Sequence, residues 1–407
     1  MNLPPLPVLH RTLRRVTERL AGELGQPTEV VPDWSDFEWQ LARAVAAMHG
    51  VSPLLATQLK WQGPPQWQSF LASQRAHVAT RQRRIAELLT LLDARAQQEH
   101  VALVGLKGAA LHGLGLYRAG DRPMADIDLL VHPDQAARAC EVLESLGFSD
   151  VPASRNWKHR VFMPRTRDMP AQLGEHGQNY LKFELHERIA EILPLHPVDV
   201  TAAIYPPRPH PGLNTYPSNV ALLIHLLIHA ASCMAYRALR LLHLHDIALV
   251  AARMTHCDWD ELLGHGRNSG GPWWALPPIL LTGRYYPKAI PTPVLAGLQA
   301  FCQWNLRRLA RRQTLSDVSM SYLWIEAFPG IGWSRSLSEM LQCVRSRVRP
   351  NADIRRLRAD ATQTQVASSN SDWAHLSQRQ RILRWIASRQ PRPDTLHAVR
   401  TALAAPQ

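Results

Sequence analysis

The sequence predicts an α+β protein in which a small mixed β-sheet core is flanked by N-terminal and C-terminal helical lobes. Three observations predict it. Short apolar, strand-like runs are confined to residues 101–186. The residues before them carry apolar stripes at helical spacing, and after residue 218 no strand-like alternation competes with helical patterns.

Residues 1–32 are proline-punctuated and hold one basic amphipathic helix, Arg11 to Leu24, expected to be peripheral. Asp33 to Met48 reads as a helix with Phe37, Leu41, Val45 and Met48 on one stripe, capped by Asp33 or Ser35. Ser52 caps a short helix to Leu59, and a long helix runs from about Gln66 to Gln98. The core opens with a strand at Val101–Val104, turns at Gly105-Leu106-Lys107-Gly108, continues as an apolar helix and enters a second strand through Asp126-Ile127-Asp128. A helix from Gln135 to Leu146 ends at Gly147, as glycine commonly ends helices. Phe148 to Arg167 forms a hairpin carrying Arg155, Lys158, Arg160 and Arg165, and a strand follows at Lys182–His186. The proline-rich stretch 198–218 reads as a linker.

Helices are expected from Ser218 or Asn219 to Ala231, Arg237 to Met254, Trp259 to Gly264, Trp273 to Leu281 and Val294 to Leu309. Residues 350–372 are polar and weakly periodic, with short helices expected at Trp373–Ala387 and Thr395–Leu403. The division this implies is an N-terminal lobe over 1–98, a core over 99–215, a C-terminal lobe over 216–349 and an arginine-rich tail over 350–407.

Composition narrows the class. A chain of 407 residues with 46% hydrophobic and 19% charged residues is globular, with cores to bury. Five scattered cysteines without a C-x-x-C pair fit free thiols in a reducing cytoplasm and support neither a disulfide framework nor a zinc site. The N-terminus lacks a signal-peptide pattern, and the most apolar run, Val220 to Ala235, is broken by His225 and His229 and falls short of a membrane span. The expectation is a cytoplasmic protein without membrane contact. Net charge is +13, and the stretch from Arg335 to Gln407 carries thirteen arginines against five acids, or +8. That raises the prospect of polyanion contact through the tail, although a general Arg, Ala, Leu and Pro bias is the simpler account of it.

The chemistry concentrates between Val101 and His186. Residues two apart on a strand share a face, so Asp126 and Asp128 point the same way. Paired carboxylates repel unless a cation lies between them, and such oxygen pairs suit Mg²⁺ that is also held by substrate phosphates. Lys107, between glycines at a turn opening a helix, offers an ammonium, backbone N–H groups and the positive helix end to a phosphate. Downstream, Lys182, Glu184 and His186 share the polar face of a strand, which adds a third carboxylate. These parts together describe a two-metal phosphoryl-transfer site. Arg122, four residues before the D-x-D, is a candidate triphosphate contact, and His186 a candidate nucleotide contact. His225 and His229 have zinc-like i, i+4 spacing but lack the glutamate of H-E-x-x-H, and read as packing histidines. His243, His245 and Asp246 read as lobe packing, and Arg307, Arg308, Arg311 and Arg312 as a solvated helix face.

The stretches G-L-K-G-A-A-L (105–111), Tyr117, R-P-M-A-D-I-D-L-L-V (122–131) and E-L-H-E-R (184–188) resemble the nucleotidyltransferase-fold superfamily typified by DNA polymerase beta. Within it, they are similar to a bacterial branch of uncharacterised nucleotidyltransferases. A weaker likeness extends to D-W-S-D-F-E-W-Q-L-A and H-G-V-S-P-L-L before the core, and to L-I-H-L-L-I-H-A-A and L-H-D-I-A-L-V after it, covering about residues 33–270. Lys107-Gly108 stands where the superfamily commonly has Gly-Ser, and Glu184 where it commonly has aspartate.

The resemblance implies an α+β nucleotidyltransferase core that moves an NMP from an NTP, ATP included, to a hydroxyl or similar acceptor on a peptide, tRNA or other RNA, or small molecule, releasing pyrophosphate. It implies Asp126, Asp128 and Glu184 as catalytic residues and ligands of Mg²⁺ (or Mn²⁺), with Gly105, Lys107, Gly108, Arg122 and His186 on the nucleotide. The alternative is a catalytically inactive nucleotidyltransferase fold acting as an RNA- or DNA-binding module.

Overall fold

A computed structural model of the chain describes residues 3–151, 159–165, 172–267, 270–349 and 376–404. Helix α1 (Leu6–Gly25) turns Leu9, Leu13, Val16 and Leu20 into the main core, so the segment expected to be peripheral is structural. Its stripe is long enough to pay for packing against the neighbouring helices. In α2 (Asp36–Met48) the cap is Ser35, not Asp33: its hydroxyl accepts the Glu38 N–H at 3.4 Å while Glu38 accepts the Ser35 N–H at 3.0 Å. Helix α3 (Ser52–Gln58) starts at Ser52 rather than being capped by it. The long α4 (Pro65–Gln98) buries Trp67, Leu71, Val78, Ile85 and Leu92.

The core follows as β1 (Ala102–Gly105), α5 (Gly108–Gly113), β2 (Ile127–Val131), α6 (Ala136–Ser145), β3 (Phe148–Asp150), β4 (His159–Pro164) and β5 (Phe183–His186). A small pair, β6 (Ala190–Ile192) and β7 (Pro197–Asp199), a turn of helix α7 (Thr201–Ile204) and β8 (Gly212–Asn214) complete it. The six-stranded sheet has the order β3-β4-β5-β2-β1-β8. It is mixed: β1–β8 and β2–β5 are parallel, and β1–β2, β4–β5 and β3–β4 antiparallel. The hairpin expected at 148–167 is β3–β4, although Arg155 and Lys158 lie outside the described residues.

The stretch expected as a linker instead supplies β8, an edge strand. It is held because Leu213 N–H reaches Asp93 of α4 at 2.6 Å and the Asn214 amide reaches the Leu103 carbonyl at 3.1 Å. Its prolines punctuate turns around a three-residue strand too short to show alternation.

Alternation decides the two faces of the sheet. Ile127, Leu129 and Val131, with Phe183 and Leu185, pack with Leu92, Ala139 and Leu143 of α4 and α6. Leu130 and Val104 point the other way, toward the C-terminal helices. Asp128, Glu184 and His186 alternate with the first group and therefore lie on that second face.

The C-terminal helices are α8 (Asn219–Ala235), α9 (Leu241–Ala251), α10 (His256–Gly264), α11 (Leu276–Tyr285), α12 (Thr292–Phe301), α13 (Trp304–Arg312), α14 (Leu315–Val318), α15 (Leu337–Val348), α16 (Gln378–Ala387) and α17 (Pro393–Ala404). The single helix expected over 294–309 is two, broken where Cys302 and Gln303 take extended backbone. The chain ends meet, since Arg43 of α2 donates to the Ala402 carbonyl of α17 at 3.2 Å. The tail expected to touch a polyanion falls in part on residues 350–375, outside the described residues. Among the described residues, no helix is long and apolar enough to cross a membrane.

Two buried polar contacts tie the sheet to these helices. Arg122, before β2, grips Asp246 of α9 through two bonds of 2.9 and 2.7 Å, and Tyr117 donates to the same carboxylate at 2.5 Å. His49, after α2, accepts the Leu241 N–H through Nδ1 at 2.9 Å and bonds Ser321 through Nε2 at 3.1 Å.

Removing one partner of a buried ion pair strands the other. Asp246→Ala and Arg122→Ala are each expected to lower unfolding free energy by about 3–5 kcal/mol, and the double variant by less than their sum, in a chemical-denaturation cycle. Burial, then Arg240, lowers the His49 pKa from 6.5 to about 3. The unfolded chain therefore takes up this proton below about 6.5 while the folded chain resists it, so stability falls with pH across that window. Denaturation midpoints are expected to drop from pH 6.5 to pH 4, by up to about 1.4 kcal/mol per pH unit for this group, and with a smaller slope in His49→Gln.

Candidate functional site

The site forms where β1 ends, β2 begins and β5 runs alongside. Parallel pairing sets Asp128 directly opposite Glu184, and Ile127 opposite Phe183. Glu184 lies 56 and 58 positions from Asp128 and Asp126 in the chain, yet the three acids are neighbours on one face. Lys182 closes the group: its ammonium lies 2.6 Å from Glu184 and 3.3 Å from Asp126. Lys107 lies 3.1 Å from Asp128, and His186 Nε2 donates to the same oxygen at 3.1 Å.

The Lys107 turn differs from its sequence reading. Lys107 sits at a positive φ of 42°, a strained setting for a residue with a side chain. The N–H groups of Leu106, Lys107 and Ala109 are already taken, by the Asp128 carbonyl, the Tyr216 hydroxyl and the Leu106 carbonyl. Helix α5 is only six residues long. The turn therefore offers its ammonium far more than an amide cradle. Tyr216 accepts from Lys107 N and so gives its own proton to His225 Nδ1, 2.6 Å away. Burial, with Lys107 next in weight, holds His225 neutral, and this histidine serves as the base of a support for the turn.

Gly108 is required by space. A Cβ there would stand 2.6 Å from the Arg122 guanidinium and 2.9 Å from the Met124 side chain. Gly105 shows no such crowding: its nearest neighbour would be Ala109 at 3.5 Å, ordinary contact. Arg122 borders the same cleft, but Asp246, which also accepts from Tyr117, occupies its fork. It underpins the turn rather than pointing a free guanidinium outward.

The charges balance closely. Burial alone would raise the Asp128 carboxyl, yet Lys107 and His186 hold it well below the usual range. Burial disfavours the Lys107 ammonium, but Asp128, then Asp126 and Glu184, raise its pKa above the ordinary value. Burial, then Asp126 and Asp128, pushes the Glu184 carboxyl up despite Lys182. His159 of β4, which the sequence did not single out, stands 3.7 Å from Glu184, and burial and His186 lower its pKa to about 3. Donor atoms of His159, Glu184 and His186 lie within 4.8 Å of one another.

Helices α8 and α9 form the opposite wall of the cleft, with His229, Arg240 and His243 facing the same space as Lys107, Asp126 and Asp128. Arg240 donates to Met320 sulfur at 3.2 Å, and among the described residues no carboxylate pairs with it. Burial works against charge on His229, but Cys233, 3.6 Å away, raises its pKa to about 9. Asp246, His159, Tyr216 and Arg240 were not legible as site residues. Their roles come from contacts spanning up to 129 positions, as between Tyr117 and Asp246.

No curated protein and no solved structure matches the chain. Residues 35–270, more than half of its length, match the family model described as uncharacterised nucleotidyltransferase. The matched span takes in the sheet, the Lys107 turn, the three acids and the α8–α9 wall. The chain belongs to the uncharacterised nucleotidyltransferase family, a family of phosphorus-group transferases.

Proposed function

We propose that the cleft transfers a nucleoside monophosphate from an NTP to an acceptor hydroxyl, with release of pyrophosphate, and that Asp126, Asp128 and Glu184 are its acids. The observation that carries the reading is the register pairing of Asp128 with Glu184, with Asp126 joined to Glu184 through Lys182. Three carboxylates on one sheet face, against two ammonium groups, suit a hard divalent cation with oxygen ligands. Asp126, Asp128 and Glu184 would hold Mg²⁺, or Mn²⁺, and the ion would supply neutralisation of charge on the phosphoryl oxygens.

The chain's own residues supply the rest. Lys107 gives an ammonium to the phosphates, on a turn fixed by Tyr216 and His225. Glu184, whose carboxyl is pushed up by burial and its acidic neighbours, is the acid best suited to take the acceptor proton. His186 fixes Asp128 by its 3.1 Å bond. Arg240 takes the phosphate-binding role expected of Arg122, because Arg122 is committed to Asp246. The acceptor, whether a peptide, an RNA or a small molecule, enters from the open side of the cleft.

The test is transfer of label from α-phosphate-labelled NTPs to candidate acceptors. Asp126→Asn/Asp128→Asn and Glu184→Gln are expected to lower transfer by about 100-fold or more, and EDTA to abolish it until Mg²⁺ is restored. Undiminished transfer by the double aspartate variant sinks the proposal. Arg240→Ala is expected to raise the KM for NTP about tenfold, a loss of about 1.4 kcal/mol, with the melting temperature nearly unchanged. Arg122→Ala is expected instead to destabilise the fold.

A further inference from the structure

We propose that His229, Cys233 and His243 form a binding site for one zinc ion on the α8–α9 wall of the cleft. His229 and Cys233 are four residues apart and share a face of α8, while His243 faces them from the first turn of α9. One donor atom from each of the three lies within 4.8 Å of the others. The best-defined spacing fits ligation: Cys233 Sγ is 3.6 Å from His229 Nε2. A sulfur about 2.3 Å and a nitrogen about 2.0–2.1 Å from one ion at a tetrahedral angle are themselves about 3.6 Å apart.

The surroundings agree. On the far side of the His229 ring, Nδ1 lies 3.9 Å from Glu191 Oε1. A carboxylate behind a ligating histidine fixes ring orientation and tautomer, as around many zinc ions. The rings of His229 and His243 meet edge to face, with centroids 5.0 Å apart. His243 Nδ1 accepts the Arg240 N–H at 3.3 Å. Ligation through Nε2 moves the ring proton to Nδ1 and gives up that long bond, and water can take up the N–H of half-buried Arg240. Binding displaces the Cys233 thiol proton to solvent. One thiolate and two imidazoles favour zinc over magnesium, which takes oxygen ligands. Three protein donors leave a fourth position for water or a group entering the cleft.

Spacing alone pairs His229 with His225 as readily as with Cys233, and it does not reveal the approach of His243. The structure separates His225 from His229: His225 is bound to Tyr216, and Cys233 and His243 take its place. The inference does not rest on the transferase reading, since its donors are distinct from the three acids.

The full chain is equilibrated with a small excess of zinc chloride, gel-filtered and analysed for metal. One zinc per chain is expected in the wild type and equally in Asp126→Asn/Asp128→Asn. Cys233→Ser and His229→Asn, checked for folding by circular dichroism, are expected to bind at least about tenfold more weakly in chelator competition, and Glu191→Gln about tenfold more weakly. Cobalt(II) in the wild type is expected to give the thiolate charge-transfer absorption of a tetrahedral site, lost in Cys233→Ser. Wild-type protein that retains no zinc and shows no such cobalt band overturns the proposal, as does zinc binding unchanged in Cys233→Ser. Zinc lost from the double aspartate variant but kept by Cys233→Ser also overturns it, by assigning the ion to the carboxylates.

Discussion

The buried pair between Arg122 and Asp246 is the constraint on which the rest of the molecule depends. It joins the loop that delivers β2 to the helix that roofs the cleft, and both groups are almost wholly removed from water. A guanidinium and a carboxylate at such depth are tolerated only when every strong donor and acceptor is matched. Here the fork is bidentate and Tyr117 adds a third bond, and the guanidinium also lies 5.8 Å from the Tyr117 ring centre. The pair determines a small residue as well: Gly108 has no side chain because Arg122 stands where one would be. The position of the Lys107 turn therefore follows from an ion pair two elements away.

Charge matching is the second theme. Three carboxylates converge on one sheet face, and each has a cationic or donor partner from its own strand, the neighbouring strand or the turn. Lys182 bridges Asp126 and Glu184 and Lys107 covers Asp128, so the cleft holds its acidic group without leaving a bare buried charge. The environments of the acids differ. Asp128 is driven toward the ionised form by Lys107 and His186, whereas Glu184 is pushed toward the proton-bound form by burial and its acidic neighbours. Divergence of this kind between adjacent carboxyls separates a group that stays charged from one that exchanges protons.

The cleft is a joint product of two parts of the chain. The sheet brings the acids and α8–α9 bring His229, Arg240 and His243, and the family match from 35 to 270 spans both. The helices do more than cover the sheet: they contribute Arg240, with which no carboxylate pairs among the described residues, and the sulfur–nitrogen cluster next to it.

Periodicity alone determined the kinds of element and, through strand alternation, that Asp126, Asp128, Glu184 and His186 belong on polar faces. It determined the helical character of both flanks because their apolar stripes repeat near 3.6 residues. It did not determine α1 as core, β8 as an edge strand or the break between α12 and α13, since each depends on what packs alongside rather than on the local pattern. Pairing of β2 with β5, the burial of Arg122 on Asp246, the use of the turn's amides and the approach of His243 to the His229–Cys233 pair are decided only by tertiary structure. A strand's alternation fixes which way a side chain points, but the neighbour it meets depends on chain segments tens to more than a hundred residues away, and nothing in local spacing encodes that distance.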